Sequence, residues 1–327
     1  MATPSEIFTE MVTTTHRKIG SKITDNVSNH NALLRRMKDK GNIKSEDGGY
    51  EIQEPISYAE NSTYQRFAGY DTLNTQPSDV LTSVKYEYRQ IALHVTASGE
   101  ELRKNAGEAA MKKLVKARRD VANQTAQNQF SVDIYSDGSL TNQINGLANL
   151  VQTNGQGTVG GINSATWTFW RNKFKEMTGT NLAATPNATN SASMKADMNA
   201  LWLPLNNGMD KPDLIVMTHD LYTLYETGEQ QLQRYADADM ANAGFRGLKF
   251  KSADVVFDDN TNFGTTDEKA YFLNTSYLYL VQHREAKWTM EKEKTPINQD
   301  AVVIPMYWMG NLISTKRSLQ GVLFDAA

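Results

Sequence analysis

Cysteine is absent from all 327 residues. Disulfides, thiolate metal ligands and cysteine nucleophiles are therefore excluded. Histidine is scarce, and His16, His30, His94, His219 and His283 stand far apart without HxxxH or HxH spacing. No GxSxG or comparable activated-nucleophile signature accompanies them. The expectation is a chain with no catalytic residues, no cofactor and no metal site. Apolar residues make up 39%, below the roughly 45–50% usual in globular domains. That is low for a compact enzyme and suits an extended protein that shows much of its surface to neighbours. No apolar run approaches the ~18 residues of a membrane-spanning helix, so no membrane partner is expected. The first residues, MATPSEIFTEMVTTTHRKIG, have early acids and no apolar core, unlike a secretory signal. The chain is expected to work in a cytosol or in something assembled there. A basic excess is also missing: 34 Lys and Arg face 37 Asp and Glu. This excludes a generally basic nucleic-acid binder but leaves room for local basic stripes.

What is present changes character along the chain. Residues 1–40 read as two short helical pieces, with Ile7, Met11 and Val12 on one face and Ala32, Leu33, Leu34 and Met37 on another. Gly20 and Gly41 are natural stops. From Lys44 to about Val95 the period is two, as in Tyr50–Gln53 and Val84–Ile91. Between these lies the polar stretch NSTYQRFAGYDTLNTQPSD. The spacing predicts a long two-stranded arm with a wide tip, an element that is marginal alone in water. A helix is predicted from a capping box at Ser98–Glu101 to about Tyr135, ~38 residues and roughly 57 Å long. Its apolar stripe includes Leu114, Val121, Ala122, Ala126, Phe130 and Ile134, and a kink is expected near Asn105–Gly107. Beyond Asp137 the texture is α+β. Helices are predicted at 164–177, 191–205 and 219–232, and strands at 213–217, 253–258, 271–281 and 285–295. A pair of apolar strands, with Val303 and Leu312 buried on both faces, is expected from Ala301 onward.

Three features invite chemistry. Gly155, Gly157 and Gly160 match GxGxxG, but the βαβ unit and ribose-binding acid of a dinucleotide site are missing, so a glycine-rich loop is expected. Asp258, Asn260 and Asn262 resemble the start of a calcium loop. Phe263 and Lys269 stand where Gly and the bidentate Glu would be needed, so a turn is expected. Lys112, Lys116 and Arg119 fall on one helical stripe. They form either a solvated face or a surface lying against phosphate charge. Trp167 and Trp170, read one turn apart on a single helix, are assigned to core packing.

The order of parts, with motifs at their joints, resembles the tailed-bacteriophage major capsid protein family, whose fold is called Hong-Kong-97-type. The matching residues are Gly41, Gly48 and Gly49 with Tyr50–Ile56, Asn61–Thr63, Gly69–Asp71, Ser98–Leu102 with Asn105, and Asp137–Gly138. They continue through Gly146–Val151, Gly160–Ile162 and Trp170–Asn172. The closing stretch, Asn298–Ala301 through Gly310–Leu312 to Arg317–Leu323, is the most specific. Together they span roughly 280 residues.

The resemblance implies an α+β capsid fold with an N-terminal arm (1–40) and an extended β-ribbon loop (41–95). A spine helix of a peripheral domain (96–137), an α/β axial domain (138–280) and terminal strands completing both domains (281–327) would follow. It implies self-association into hexamers and pentamers, an icosahedral shell around double-stranded DNA, and residence in the virion after assembly in a host cytoplasm. A portal, a separate scaffolding protein and a decoration protein are the implied partners. Fewer than about 50 residues precede the loop, and with Met1 present this points to scaffolding by a separate protein. Tyr64, Phe67 and Tyr70 are the candidate contacts with a neighbouring subunit, and Lys112, Lys116 and Arg119 the candidate lumen-facing stripe. An encapsulin-like compartment is the alternative shell, and a hydrolase or nucleotide enzyme built on 138–327 the alternative class.

Overall fold

A computed structural model describes residues 31–104, 108–179, 182–233, 248–258 and 268–325, leaving aside the side chains of 102, 108–116 and 230–233. The expected helix around Ile7–Val12 and the kink at Asn105–Gly107 lie outside the described residues, as does most of the calcium-like loop after Asp258.

Helix α1 (Ala32–Asp39) opens where the Asn31 side chain accepts from the N–H groups of Leu33 and Leu34, at 2.9 and 3.3 Å. It closes in a Schellman motif: Asn42 N–H reaches Met37 O (2.8 Å) and Gly41 N–H reaches Lys38 O (3.0 Å). Gly41 supplies the left-handed φ of +72° that this cap requires. Leu33, Leu34 and Met37 form its buried face.

Two sheets carry the body. In the first, β1 (Ile43–Glu46) runs parallel to β12 (Leu278–Met290), which pairs antiparallel with β13 (Ala301–Ser314), which pairs antiparallel with β4 (Arg89–Ser98). The capping box leading out of β4 is formed reciprocally: Glu101 N–H donates to Ser98 Oγ, and Ser98 N–H donates to Glu101 Oε2. Helix α2 (Gly99–Lys104) follows, and after it α3 (Glu108–Ile134), whose 27 residues extend ~40 Å. Ala122, Ala126, Phe130 and Ile134 recur every fourth residue and are buried. Phe130 packs edge-on against Trp308 and Trp288 of the sheet, with centroids 4.8 and 5.9 Å away. Val121 does not share this face; it is 62% exposed, because its angular position is one residue off the i, i+4 row.

The second sheet has the order β7-β14-β11-β8-β10-β9, with β7 Lys173–Glu176, β8 Leu214–Met217, β9 Leu248–Phe250, β10 Ala253–Phe257, β11 Glu268–Leu273 and β14 Gly321–Asp325. Strand β8 is buried throughout. Ile215 and Met217 face helices α4 (Ala188–Trp202) and α5 (His219–Gln233), while Leu214 and Val216 join the core shared with α1 and the first sheet. This two-sided burial explains its unbroken apolar run.

Several sequence expectations are corrected. Residues 164–177 are not a helix but a 3-10 turn (Thr168–Trp170) followed by β7, which pairs in parallel with β14. The tryptophan pair separates accordingly. Trp170 is 2% exposed and its indole donates to Val159 O, whereas Trp167 is 52% exposed. The strand expected at 271–281 is two strands, β11 and β12, divided by a 3-10 turn at Thr275–Tyr277. The one expected at 285–295 is the far end of β12, which stops at Met290. Strand β13 is buried from Ile304 to Met306 and again from Gly310 onward, but its first residues, Val303 included, are only half-buried.

Candidate assembly surfaces

The third paired element projects from the body. Strands β2 (Glu51–Ser57) and β3 (Leu81–Glu87) form an antiparallel ribbon in which Glu51 opposes Glu87 and Ser57 opposes Leu81. One face of this stem is held down: Ile52, Ile56, Val84 and Tyr86 are buried. Tyr86 anchors it, donating from its hydroxyl to Ser314 O at 3.0 Å, and burial pushes that phenol well above its usual pKa. Gly160 sits against the stem so closely that a Cβ there would lie 3.1 Å from both Tyr86 and Val84, and its carbonyl accepts from Lys85 N–H. The GxGxxG stretch is thus a short hairpin, β5 (Thr158–Val159) with β6 (Ile162–Asn163), braced on the ribbon.

Between the strands, residues 58–80 continue outward. Their cross-links are nested: Ser78 Oγ donates to Asn61 Oδ1 (3.0 Å), Asn74 to Ser62 O (3.4 Å) and Gln65 to Thr72 O (3.1 Å). A turn closed by Asp71 N–H to Ala68 O (3.1 Å) ends the series. The ladder makes the tip a polar hairpin with its apex at Phe67–Tyr70. Tyr64, Phe67 and Tyr70 stand on it 84%, 65% and 107% exposed. Aromatic area of this kind is what the centres of protein interfaces are enriched in.

Of the basic stripe, Arg119 alone has a described side chain. The side chains of Lys112 and Lys116 lie outside the described residues. Arg119 is half-buried, with Asp120 Oδ1 at 3.9 Å. Its neighbour Arg118 turns instead to Glu101, 2.6 Å away.

Sequence reasoning missed several buried polar residues that tie distant segments together, of which Asn311 reaches the ribbon. Asn311 accepts from Asn145 N–H and donates to Glu87 O, both at 2.8 Å. Arg317 is fully buried and donates to Leu150 O (2.7 Å), Asn172 Oδ1 (3.0 Å) and Ser164 Oγ (3.4 Å). Burial among neutral acceptors brings its pKa down to about 10. Gln320 exchanges two hydrogen bonds with the backbone of Asn274. These three residues lie in the closing stretch that carries the most specific part of the resemblance. A second fastening holds α1: Asp213 accepts from Arg36 (3.1 Å), Thr275 N–H (2.7 Å) and Thr275 Oγ1 (2.8 Å), with Lys40 3.1 Å away. Burial pushes the Asp213 carboxyl up, but these donors outweigh it and leave its pKa below the ordinary value.

Among the described residues, no group of three or more His, Asp or Glu side chains is placed to hold a metal ion, and no helix is long and apolar enough to cross a membrane.

Neither a family model nor a curated protein matches the sequence. Solved structures do match. The chain is similar to a subunit of the cyanophage A-1(L) capsid asymmetric unit, at 14% identity and a TM-score of 0.60, over 88% of this chain and 90% of that one. A subunit of the native GTA particle capsid matches at 9% identity and a TM-score of 0.56, over 88% and 89%. The capsid of Myoviridae phage XM1 matches at 13% identity and a TM-score of 0.52, over 88% and 91%. Over 88% of its length, this chain has the fold of tailed-phage capsid subunits.

Proposed function

We propose that this chain is the major capsid protein of a tailed bacteriophage, a structural subunit without catalytic chemistry. Copies of it join as hexamers and pentamers into an icosahedral shell around double-stranded DNA. The observation that carries this reading is the ribbon: a stem fixed to the body by Tyr86 and Ile52, and a ladder-braced tip whose aromatics are exposed. Three exposed aromatics on a projecting hairpin gain nothing for a solitary subunit and suit packing on a neighbour through Tyr64, Phe67 and Tyr70. The similar solved structures come from phage and GTA capsids, which favours this shell over an encapsulin-like compartment.

In this reading residues 1–40 are the arm, 41–95 the ribbon loop, 96–137 the spine of the peripheral domain, 138–280 the axial domain and 281–327 the strands completing both. Each contact can be weak, because a closed assembly engages several at once. The stripe Lys112, Lys116 and Arg119 faces the lumen and attracts packaged phosphate without regard to sequence. A portal, a separate scaffolding protein and a decoration protein complete the particle, which forms in the host cytoplasm and ends as the virion head.

Deleting residues 60–80 tests the proposal. The truncated subunit is expected to stay soluble and folded, since the tip contributes no core, while failing to form closed particles that the full chain forms under the same conditions. Normal closure by the deletion variant would overturn the role given to the ribbon.

A further inference from the structure

At the foot of the tip, where β2 ends and β3 begins, the surface is hollowed into a recess of about 480 Å³ whose lining includes Tyr58, Asp79, Leu81, Trp167 and Phe169, together with Lys85, whose ammonium is paired with Glu51 at 2.8 Å. Its floor is three aromatic rings packed on one another. Tyr58 lies 5.6 Å from Phe169 and 6.3 Å from Trp167, and Trp167 lies 6.3 Å from Phe169. Large apolar surface is left open here: Trp167 is 52% and Leu81 66% exposed. At the rim stands the exposed Asp79 carboxylate, which has no ion-pair partner among the described residues. A ring platform beside a free carboxylate is suited to a guanidinium flanked by apolar groups, through stacking on the rings and an ion pair at the rim.

The same chain carries such a group. Arg66 sits beside the apex of the ribbon, next to Phe67 and two residues beyond Tyr64, exposed and without an ion-pair partner among the described residues. In sequence it stands eight residues beyond Tyr58, at the opposite end of the tip from the recess. The nested cross-links 61–78, 62–74 and 65–72 hold the tip as an outward hairpin. The twelve residues from Ser57 to Gly69 can carry the apex as far as ~40 Å from the foot.

We propose that the recess is the receptacle for the ribbon apex of a second copy of this chain, with Arg66 of one subunit on the rings and Asp79 of the next, and Phe67 packed beside it. A projecting apex and a receptacle at a different place on the subunit make a head-to-tail contact, the type that closes rings. This rests on the shell reading above and names the surface on which the ribbon lands.

A charge exchange tests it. Arg66→Glu and Asp79→Lys are both exposed substitutions that should leave the melting temperature of the subunit unchanged. Each alone should lower the yield of closed particles at least about tenfold, because it sets like charges face to face at every copy of the contact. Combined in one chain, they should restore the yield to near that of the unaltered protein. Trp167→Ala, which removes the platform without touching charge, should lower the yield as well. Normal closure by both single variants would overturn this inference while leaving the shell reading intact. So would loss in the single variants without recovery in the double, or loss with Trp167→Ala alone, which would assign the recess to another occupant. Absence of particles from the unaltered chain would overturn the shell reading and this inference together.

Discussion

Removing the ring and the hydroxyl of Tyr86 separately measures how firmly the ribbon is fixed. Tyr86 is 2% exposed, and its hydroxyl donates to Ser314 O at 3.0 Å, on a residue that is itself fully buried. Tyr86→Phe deletes both hydrogen bonds of the hydroxyl with Ser314, the one it donates to the carbonyl and the longer one (3.4 Å) it accepts from the N–H, a cost of about 1–3 kcal/mol. Tyr86→Ala also empties the space under Gly160 and Val84, adding the cavity term of an aromatic truncation, so the total is about 4–6 kcal/mol. A chain of 327 residues unfolds with an entropy of roughly 0.7 kcal/mol/K. The melting temperature should therefore fall by about 2–4 °C for the phenylalanine and roughly 6–9 °C for the alanine. Scanning calorimetry of the unassembled subunit reads both shifts, and negative-stain microscopy reads assembly. Closed particles should survive Tyr86→Phe and become rare with Tyr86→Ala, whose stem no longer holds the tip at a defined angle. A melting temperature for the alanine variant within about 1 °C of the unaltered protein would refute the packing of the stem on the body.

Leu312 is fully buried in β13, so Leu312→Asp should abolish soluble expression, because an unpaired buried carboxylate costs several kcal/mol against a total stability of about 5–15 kcal/mol. The same change at half-buried Val303 should leave soluble protein, and equal solubility at both positions would contradict the burial pattern of the strand. Asp213→Asn should cost about 1–3 kcal/mol at neutral pH by loosening α1. The folded-state pKa of Asp213 lies below its ordinary 3.8, so its contribution is complete above that value and vanishes as pH falls through the lower one. Melting temperatures of the two proteins should thus converge only below about pH 4, and coincidence at neutral pH would refute the anchoring role. Changing Lys112, Lys116 and Arg119 together to Gln should leave folding and empty-shell assembly unaltered while lowering genome retention, most clearly at low salt. Normal retention, counted as filled against empty particles, would return the stripe to an ordinary solvated face.

Local rules located much of this fold. The four-residue recurrence of Ala122, Ala126, Phe130 and Ile134 marks the long helix, Ser98 and Glu101 mark its approach, and the apolar run 214–217 marks a strand covered on both sides. The failures share a cause in pairing between distant segments. Trp167 and Trp170 mimic helical spacing, yet residues 173–176 are drawn into a strand by β14, nearly 150 residues later in the chain. Nothing local reveals that partner. The break between β11 and β12 was hidden because Thr275–Tyr277 is a three-residue turn inside an otherwise continuous apolar stretch. The exposed aromatics Tyr64, Phe67 and Tyr70 were legible because a polar, punctuated segment has no core to put them in. Their proposed receptacle was not, since it gathers residues 58, 79–81 and 162–169 from three separate parts of the sequence. Arg317 and Asn311 escaped notice for a similar reason: a buried polar side chain is recognisable only by the distant backbone it satisfies.

Cryo-electron microscopy of particles formed by the purified chain tests the central claim most directly. The account predicts closed shells whose reconstruction resolves into hexamers and pentamers, with each ribbon apex seated on the adjoining subunit beside its Trp167. A monodisperse globule of single-subunit size, with no shells, sheets or capsomer rings under any assembly condition, would contradict it.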